Sequence, residues 1–184
     1  GVTAETADIR LIDGEGNELP QGEIGEVVGR SQGMMAGYYK REDLTDEMYW
    51  LSPEGIKFFR TGDMGRFDED GFLYLLDRIK DMIISGGFNI YAADLEAVLT
   101  NHPDVADVAV IGIPSDQWGE TPLGLVVTNP GATISTEELT KWANSKLGKA
   151  QRLSNIELRD TLPRSTIGKI LKRELREPYW AGVK

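Results

Sequence analysis

The chain has no cysteine and a single histidine, His102. The first absence excludes a disulfide framework, a thiolate metal site and a cysteine nucleophile. The second leaves zinc short of ligands, so no metal site is expected. No apolar run approaches the roughly 20 residues that span a bilayer, and the N-terminus lacks the basic-then-apolar order of a secretory leader. No transmembrane segment is therefore expected, and the expected location is the cytoplasm. Cations are also scarce, with 20 Lys and Arg against 30 Asp and Glu and a formal net charge of −10. Phosphodiester binding needs clustered positive charge, so nucleic acid is not an expected partner.

What is present is the composition of a globular protein, 40% apolar and 27% charged, from which a packed core follows. A length of 184 residues suits one domain, or one domain with part of another. The chain opens at Gly1 without an initiator methionine and reads as a piece of something larger. Its charge is unevenly spread: residues 141–184 hold 11 Lys and Arg against 4 Asp and Glu, and the first 140 hold 9 against 26. The basic tail is either a solvated helical face or a surface that meets an anionic ligand.

Residues 7–76 read as short strands and turns. Ile9 and Leu11 alternate along residues 7–13, a second strand is expected at 22–30, and Asp68-Glu69-Asp70-Gly71 marks a hairpin between 65–67 and 72–76. After residue 81 the pattern changes. Residues 92–101 carry Leu95, Val98 and Leu99 on one helical face and stop at His102-Pro103. Strands are expected at 105–113 and 123–128. Ser135 and Glu138 form a capping box for a helix with Leu139, Trp142, Ala143 and Leu147 as its apolar stripe and Gly148 as its end. A last helix is expected from about Gly168, carrying Lys169, Lys172, Arg173 and Arg176. The fold class is α+β.

Several short segments carry chemistry, each with a plainer reading beside it. Arg60-Thr61-Gly62-Asp63 offers a carboxylate that can accept both hydroxyls of a ribose, or is merely a turn. Ser85-Gly86-Gly87-Phe88-Asn89 lets the backbone approach a ligand closely, or is a tight turn between strand and helix. It lacks the Gly-Lys-Ser/Thr ending of a phosphate-binding P-loop. Lys169, directly after Gly168, could stabilise charge developing on a phosphate or carboxylate oxygen, or lie idle at the surface. Trp118 is a packing anchor or a stacking surface. His102 reads as a helix-end residue, since no serine or cysteine nucleophile is paired with it.

Taken in order, these segments resemble the adenylate-forming superfamily, and within it the AMP-forming acyl-CoA synthetases. The resemblance runs through Gly22-Glu23-Ile24-Gly25-Glu26, Met35-Ala36-Gly37-Tyr38-Tyr39, Arg60-Thr61-Gly62-Asp63 and Asp77-Arg78-Ile79-Lys80-Asp81. It continues through Ile84-Ser85-Gly86-Gly87-Phe88-Asn89-Ile90 and Asp94-Leu95-Glu96 to Leu162-Pro163 and Gly168-Lys169. It implies a two-step ligase: an acid and ATP give an acyl-adenylate and pyrophosphate, and a thiol then displaces AMP. By position, Asp63 and Arg78 look like the ATP/AMP ribose pair, Lys80 like the hinge, and Lys169 like the catalytic lysine of adenylation. Ser85, Gly86, Gly87, Trp118 and Arg152 look like the CoA site. Relatives commonly carry an aromatic and a lysine before the Arg152 region and a proline after it, where this chain reads Lys149-Ala150-Gln151-Arg152-Leu153-Ser154.

The resemblance implies a β-rich part of the large domain at 1–77, a hinge at 78–81, and a mobile α+β domain at 82–184, a short sheet flanked by helices. The substrates it implies are a carboxylic acid, ATP and CoA, with ATP and Mg held mainly by a missing N-terminal part of the same protein. Without that part the chain is expected to be inactive alone. The form of its motifs looks most like bacterial fatty or aromatic acid ligases. Two alternatives stay open: an adenylation domain loading a carrier protein, and a non-catalytic partner-binding module.

Overall fold

A computed structural model describes residues 7–182 of the chain, which divides into two compact units, residues 1–80 and 81–184. The first unit is a five-stranded antiparallel sheet. Strand β1 (Asp8–Ile12) pairs with β2 (Ile24–Arg30), which pairs with the long β4 (Lys57–Phe67). Beyond β4, the two halves of that strand take different neighbours: β3 (Tyr49–Leu51) along residues 57–59 and β5 (Leu73–Arg78) along residues 63–67. A short helix, α1 (Glu42–Glu47), which the strand pattern did not suggest, precedes β3. The expected hairpin is present, with Gly71 at φ +80° closing the turn before β5. The core of this unit is Ile12, Val28, Trp50 and Phe58. Trp50 buries its ring against Phe58 at 5.4 Å between centroids and still satisfies its indole N–H on the Gly16 carbonyl at 2.8 Å, as a buried tryptophan requires.

The second unit is built on one long hairpin, β8 (Val105–Ser115) and β9 (Gly119–Thr128). Alternate residues of β8 feed two different cores. Val108 and Val110 pack with α2 (Ala92–Thr100), α3 (Thr136–Asn144) and Ile156 of β10 (Asn155–Leu158); Ala109 and Ile111 pack with Leu162, Ile170 and residues of α4 (Lys172–Trp180). A strand covered on both faces needs apolar side chains at every position, which explains the unbroken run from Val108 to Ile111. Strand β10 lies parallel to β9 along residues 123–126. The small hairpin β6 (Ile83–Ser85) and β7 (Phe88–Ile90) joins the β9 edge through Ser85 opposite Gly119.

Helix α3 has its capping box: Ser135 Oγ accepts the Glu138 N–H at 3.2 Å while Glu138 accepts the Ser135 N–H at 3.1 Å. It stops at Asn144 rather than running on to Gly148, which instead precedes a 3-10 turn at Lys149–Gln151. The last helix also differs from the expectation. It begins at Lys172, not near Gly168, because Arg164 and Ile170 bridge across a closed loop in which Ser165 N–H donates to the Lys169 carbonyl at 2.8 Å. Among the described residues no helix is long and apolar enough to cross a membrane.

Candidate functional site

Asp63 owes its placement to an irregularity in β4. The Arg60-Thr61-Gly62-Asp63 segment is not a turn but the middle of that strand, where pairing with β2 shifts register between Glu26 and Val28. Gly62 sits at φ +71°, and Thr61 Oγ1 pins the bulge by donating to the Val27 carbonyl at 2.8 Å and accepting the Asp63 N–H at 3.0 Å. Such bulges re-aim a side chain. Here the carboxylate faces Arg78, its register partner on β5, and Arg78 Nε donates to Asp63 Oδ1 at 3.0 Å. Arg60 serves elsewhere, donating through Nε to buried Glu26 at 3.0 Å. Lys80 follows Arg78 in a 3-10 turn at Ile79–Asp81.

In the second unit a cavity of about 660 Å³, in the size range of small-molecule sites, is lined by Ser85, Gly86, Phe88, Trp118, Lys149 and Arg152 among others. Three segments distant in sequence build it. The first is the β6–β7 hairpin, where Gly86 at φ +56° and Gly87 at φ +83° make a two-residue turn between strands, not the strand-to-helix turn expected from sequence. The second is the β8–β9 connection carrying Trp118, whose carbonyl accepts the Gly86 N–H at 2.8 Å and whose ring lies half exposed. A methyl added at Gly86 would come within 2.8 Å of that ring. The third is the stretch after α3. Asn144 at the helix end both accepts the Leu153 N–H and donates to its carbonyl, at 2.8 and 2.9 Å, which fixes the chain just after Arg152. Ser154 N–H and Oγ donate to the Pro122 carbonyl at 2.9 and 2.8 Å.

Four of the five residues singled out for the CoA site, Ser85, Gly86, Trp118 and Arg152, thus border one cavity; Gly87 is in the same turn but is not in its lining. Lys149 and Phe88 line the same cavity and were not among the residues singled out from sequence. Lys149 is one turn of chain from Arg152, and nothing in its local sequence separates it from a surface lysine. An exposed indole beside two cations can hold an aromatic base and an anionic group.

Lys169 is exposed in the loop 164–170, where Ser165 Oγ accepts its N–H at 3.1 Å. It lies in the loop three residues before α4, not at the helix start expected from sequence. Four cations of the basic tail are committed to internal pairs: Lys172 with Glu96, Arg176 with Asp81, Arg164 with Asp107 and Arg159 with Glu157. Among the described residues Lys149, Arg152 and Lys169 have no recorded carboxylate partner within 4.0 Å. His102 is structural, its ring edge-on to Trp142 at 4.6 Å and its Nδ1 accepting the Asp104 N–H at 3.2 Å. Among the described residues no group of three His, Asp or Glu could hold a metal ion.

Residues 94–169 match the family described as the AMP-binding enzyme C-terminal domain. A 4-coumarate–CoA ligase-like protein of Oryza sativa subsp. japonica is 37% identical over 180 residues, 97% of this chain and 32% of the relative. A fatty acid–[acyl-carrier-protein] ligase, ScoC of Streptomyces coeruleorubidus, is 40% identical over 174 residues, 93% of this chain and 32% of the relative. Among solved structures, ATP-bound MatB from Rhodopseudomonas palustris superposes with a TM-score of 0.89 at 34% identity, over 97% of this chain and 35% of that one. The chain spans about a third of the length of the curated relatives it matches.

Proposed function

Since the chain belongs to the family of AMP-forming acyl-CoA synthetases, we propose that its parent protein activates a carboxylic acid with ATP and passes the acyl group to CoA. In the first step the acid's carboxylate attacks the α-phosphate of ATP, giving acyl-AMP and releasing pyrophosphate. In the second a thiolate attacks the acyl carbonyl and AMP departs. ATP with Mg would be held mainly by the part of the parent protein outside this chain, which by itself would be inactive. A cytoplasmic location fits these substrates.

The geometry supports the following roles. Asp63 receives the ribose hydroxyls: its Oδ1 is fixed by Arg78, and its Oδ2 keeps free lone pairs for hydroxyl donors. Arg78 orients that carboxylate. Lys169, exposed at the tip of a braced loop, brings an ammonium to the oxygens on which charge develops during adenylation. Lys80, the last residue of the first unit, is the hinge about which the second unit turns between the two steps. The observation that carries the CoA assignment is the cavity gathering Ser85, Gly86, Trp118 and Arg152 from three segments. Gly86 admits the thiol arm close to the backbone, Trp118 offers its ring to the base, and Arg152 with Lys149 meets the phosphates; Gly87 completes the turn. The relatives' names point to fatty or aromatic acids as the class of substrate. The name of ScoC supports a second reading, a carrier-protein thiol in place of CoA.

Lys169→Ala in the parent protein tests the assignment by separating the steps. Adenylate formation should fall by about 100- to 1000-fold, the usual cost of removing one such donor, while thioester formation from supplied acyl-AMP should persist. Equal loss in both would remove Lys169 from its role.

A further inference from the structure

Lys172, Arg176 and Trp180 stand four residues apart on α4 and so share one face. Each makes a polar bond to a different part of the second unit. Lys172 Nζ meets Glu96 Oε1 of α2 at 2.7 Å, and Trp180 Nε1 donates to the Gly112 carbonyl of β8 at 3.0 Å. Those two bonds tie the helix to a helix and a strand. The middle one is different. Arg176 Nη2 donates at 2.9 Å to Oδ1 of Asp81, the first residue of the unit and 95 positions away in sequence. Their side chains are 24% and 20% exposed, so solvent and salt screen the pair less than they would a surface pair.

Only Met82 separates Asp81 from Ile83, which is 1% exposed in the core. Without the Arg176 bond, the second unit's anchorage in its own core would begin at Ile83. With it, Asp81 is tied to α4, and the anchored part begins at the residue after Lys80. We infer that the Asp81–Arg176 pair is a positioning device that terminates the hinge: it locks the start of the second unit to that unit's last helix, so the unit swings as one body about Lys80. The inference rests on the proposed alternation about Lys80. Neither side chain touches substrate. Both steps require the swinging unit to arrive within a fraction of an ångström of its working position, so a slack start to that unit lowers both rates without altering substrate affinity.

The test uses spin labels on cysteines introduced at exposed Glu15 and Glu137 of the parent protein, with inter-label distances read by pulsed dipolar spectroscopy. One sample holds ATP and another AMP with CoA. The unmodified sequence should give two narrow distributions that differ between the samples. Asp81→Ala and Arg176→Ala should each widen both distributions and slow both half-reactions by about tenfold, with KM for ATP and for CoA held within about twofold. Should an alanine variant fail to fold, Asp81→Asn preserves the shape while removing the charge and should also widen them. Glu96→Gln is the control, since it breaks the Lys172 ion pair on the same helix yet keeps an acceptor for the Val110 N–H; widths should remain narrow. Narrow distributions in the Asp81 and Arg176 variants, or equal widening by Glu96→Gln, would overturn the inference. A single ligand-independent distribution in the unmodified sequence would instead strike the hinge at Lys80 on which it rests.

Discussion

Asp63 and Arg78 lie directly opposite each other on β4 and β5, joined by an Nε to Oδ1 bond of 3.0 Å. A second irregularity, between Met64 and Gly65, leaves Leu76 of β5 without a partner and sets the phase in which Arg78 meets Asp63. The bulge at Gly62 and this one flank the carboxylate on either side. Its orientation is therefore a property of the backbone and not of a mobile side chain. Asp63→Asn keeps the size and removes the charge. A charge-assisted hydrogen bond is worth about 1.5–3 kcal/mol, so KM for ATP should rise about 10- to 100-fold. KM for the acid should change little. An unaltered ATP KM would take Asp63 out of the nucleotide site.

Gly86→Ala probes the cavity. The residue sits at φ +56°, where a side chain costs about 1–2 kcal/mol, and its new methyl would meet the Trp118 ring at 2.8 Å. Trp118 is half exposed and can give way, but only by moving within the cavity it lines. The variant should raise KM for CoA while leaving adenylate formation near normal. Gly87→Ala shares the backbone strain but has open space around its new methyl, so it should destabilise without the same effect on CoA. Steady-state kinetics of the two variants side by side separates strain from obstruction.

The capping box of α3 gives a pH prediction. Hydrogen bonds from the backbone N–H and side chain of Ser135 hold the Glu138 carboxyl below its ordinary pKa. A depressed carboxyl contributes its stability above the unfolded-state value and loses it as pH falls through the folded-state value. The protection factors of the Leu139 and Ala143 amides in the parent protein, which correct for the pH dependence of intrinsic exchange, should therefore fall on acidification through the carboxylate range. Ser135→Ala should lower them at neutral pH by about fivefold, for a cap worth about 1 kcal/mol, and weaken the acid dependence. Asp13, Asp43 and Glu54 are also depressed, so the difference between the two proteins isolates the cap.

The strong local signals were legible in sequence. The Ser135–Glu138 box, the turn at Gly71 and the apolar face of Leu95 and Leu99 each rest on chemistry confined to a few neighbouring residues, and each appears within a residue or two of its expected place. The misses share a cause in tertiary pairing. Strands of three or four residues such as β6, β7 and β10 have no periodicity to detect and exist because β9 offers an edge to β6 and β10, and β6 in turn to β7. Gly168-Lys169 looks like a helix start, yet the Arg164–Ile170 bridge closes a loop there first. Lys149 joins Arg152 at the cavity through the 3-10 turn at Lys149–Gln151, after which Asn144 fixes Leu153 by two hydrogen bonds. The excess of cations in the tail left a solvated face and an anion-binding surface both open, and three of those cations are instead paired with carboxylates supplied by the acidic body.

The account turns on acid activation followed by transfer to CoA. The measurement closest to that claim is pyrophosphate release by the parent protein across short, long and aromatic acids, with and without CoA. The account predicts ATP-dependent release with fatty or aromatic acids, accompanied by consumption of CoA. Release indifferent to CoA would replace it with a carrier-protein thiol, and no release with any acid would contradict the ligase assignment.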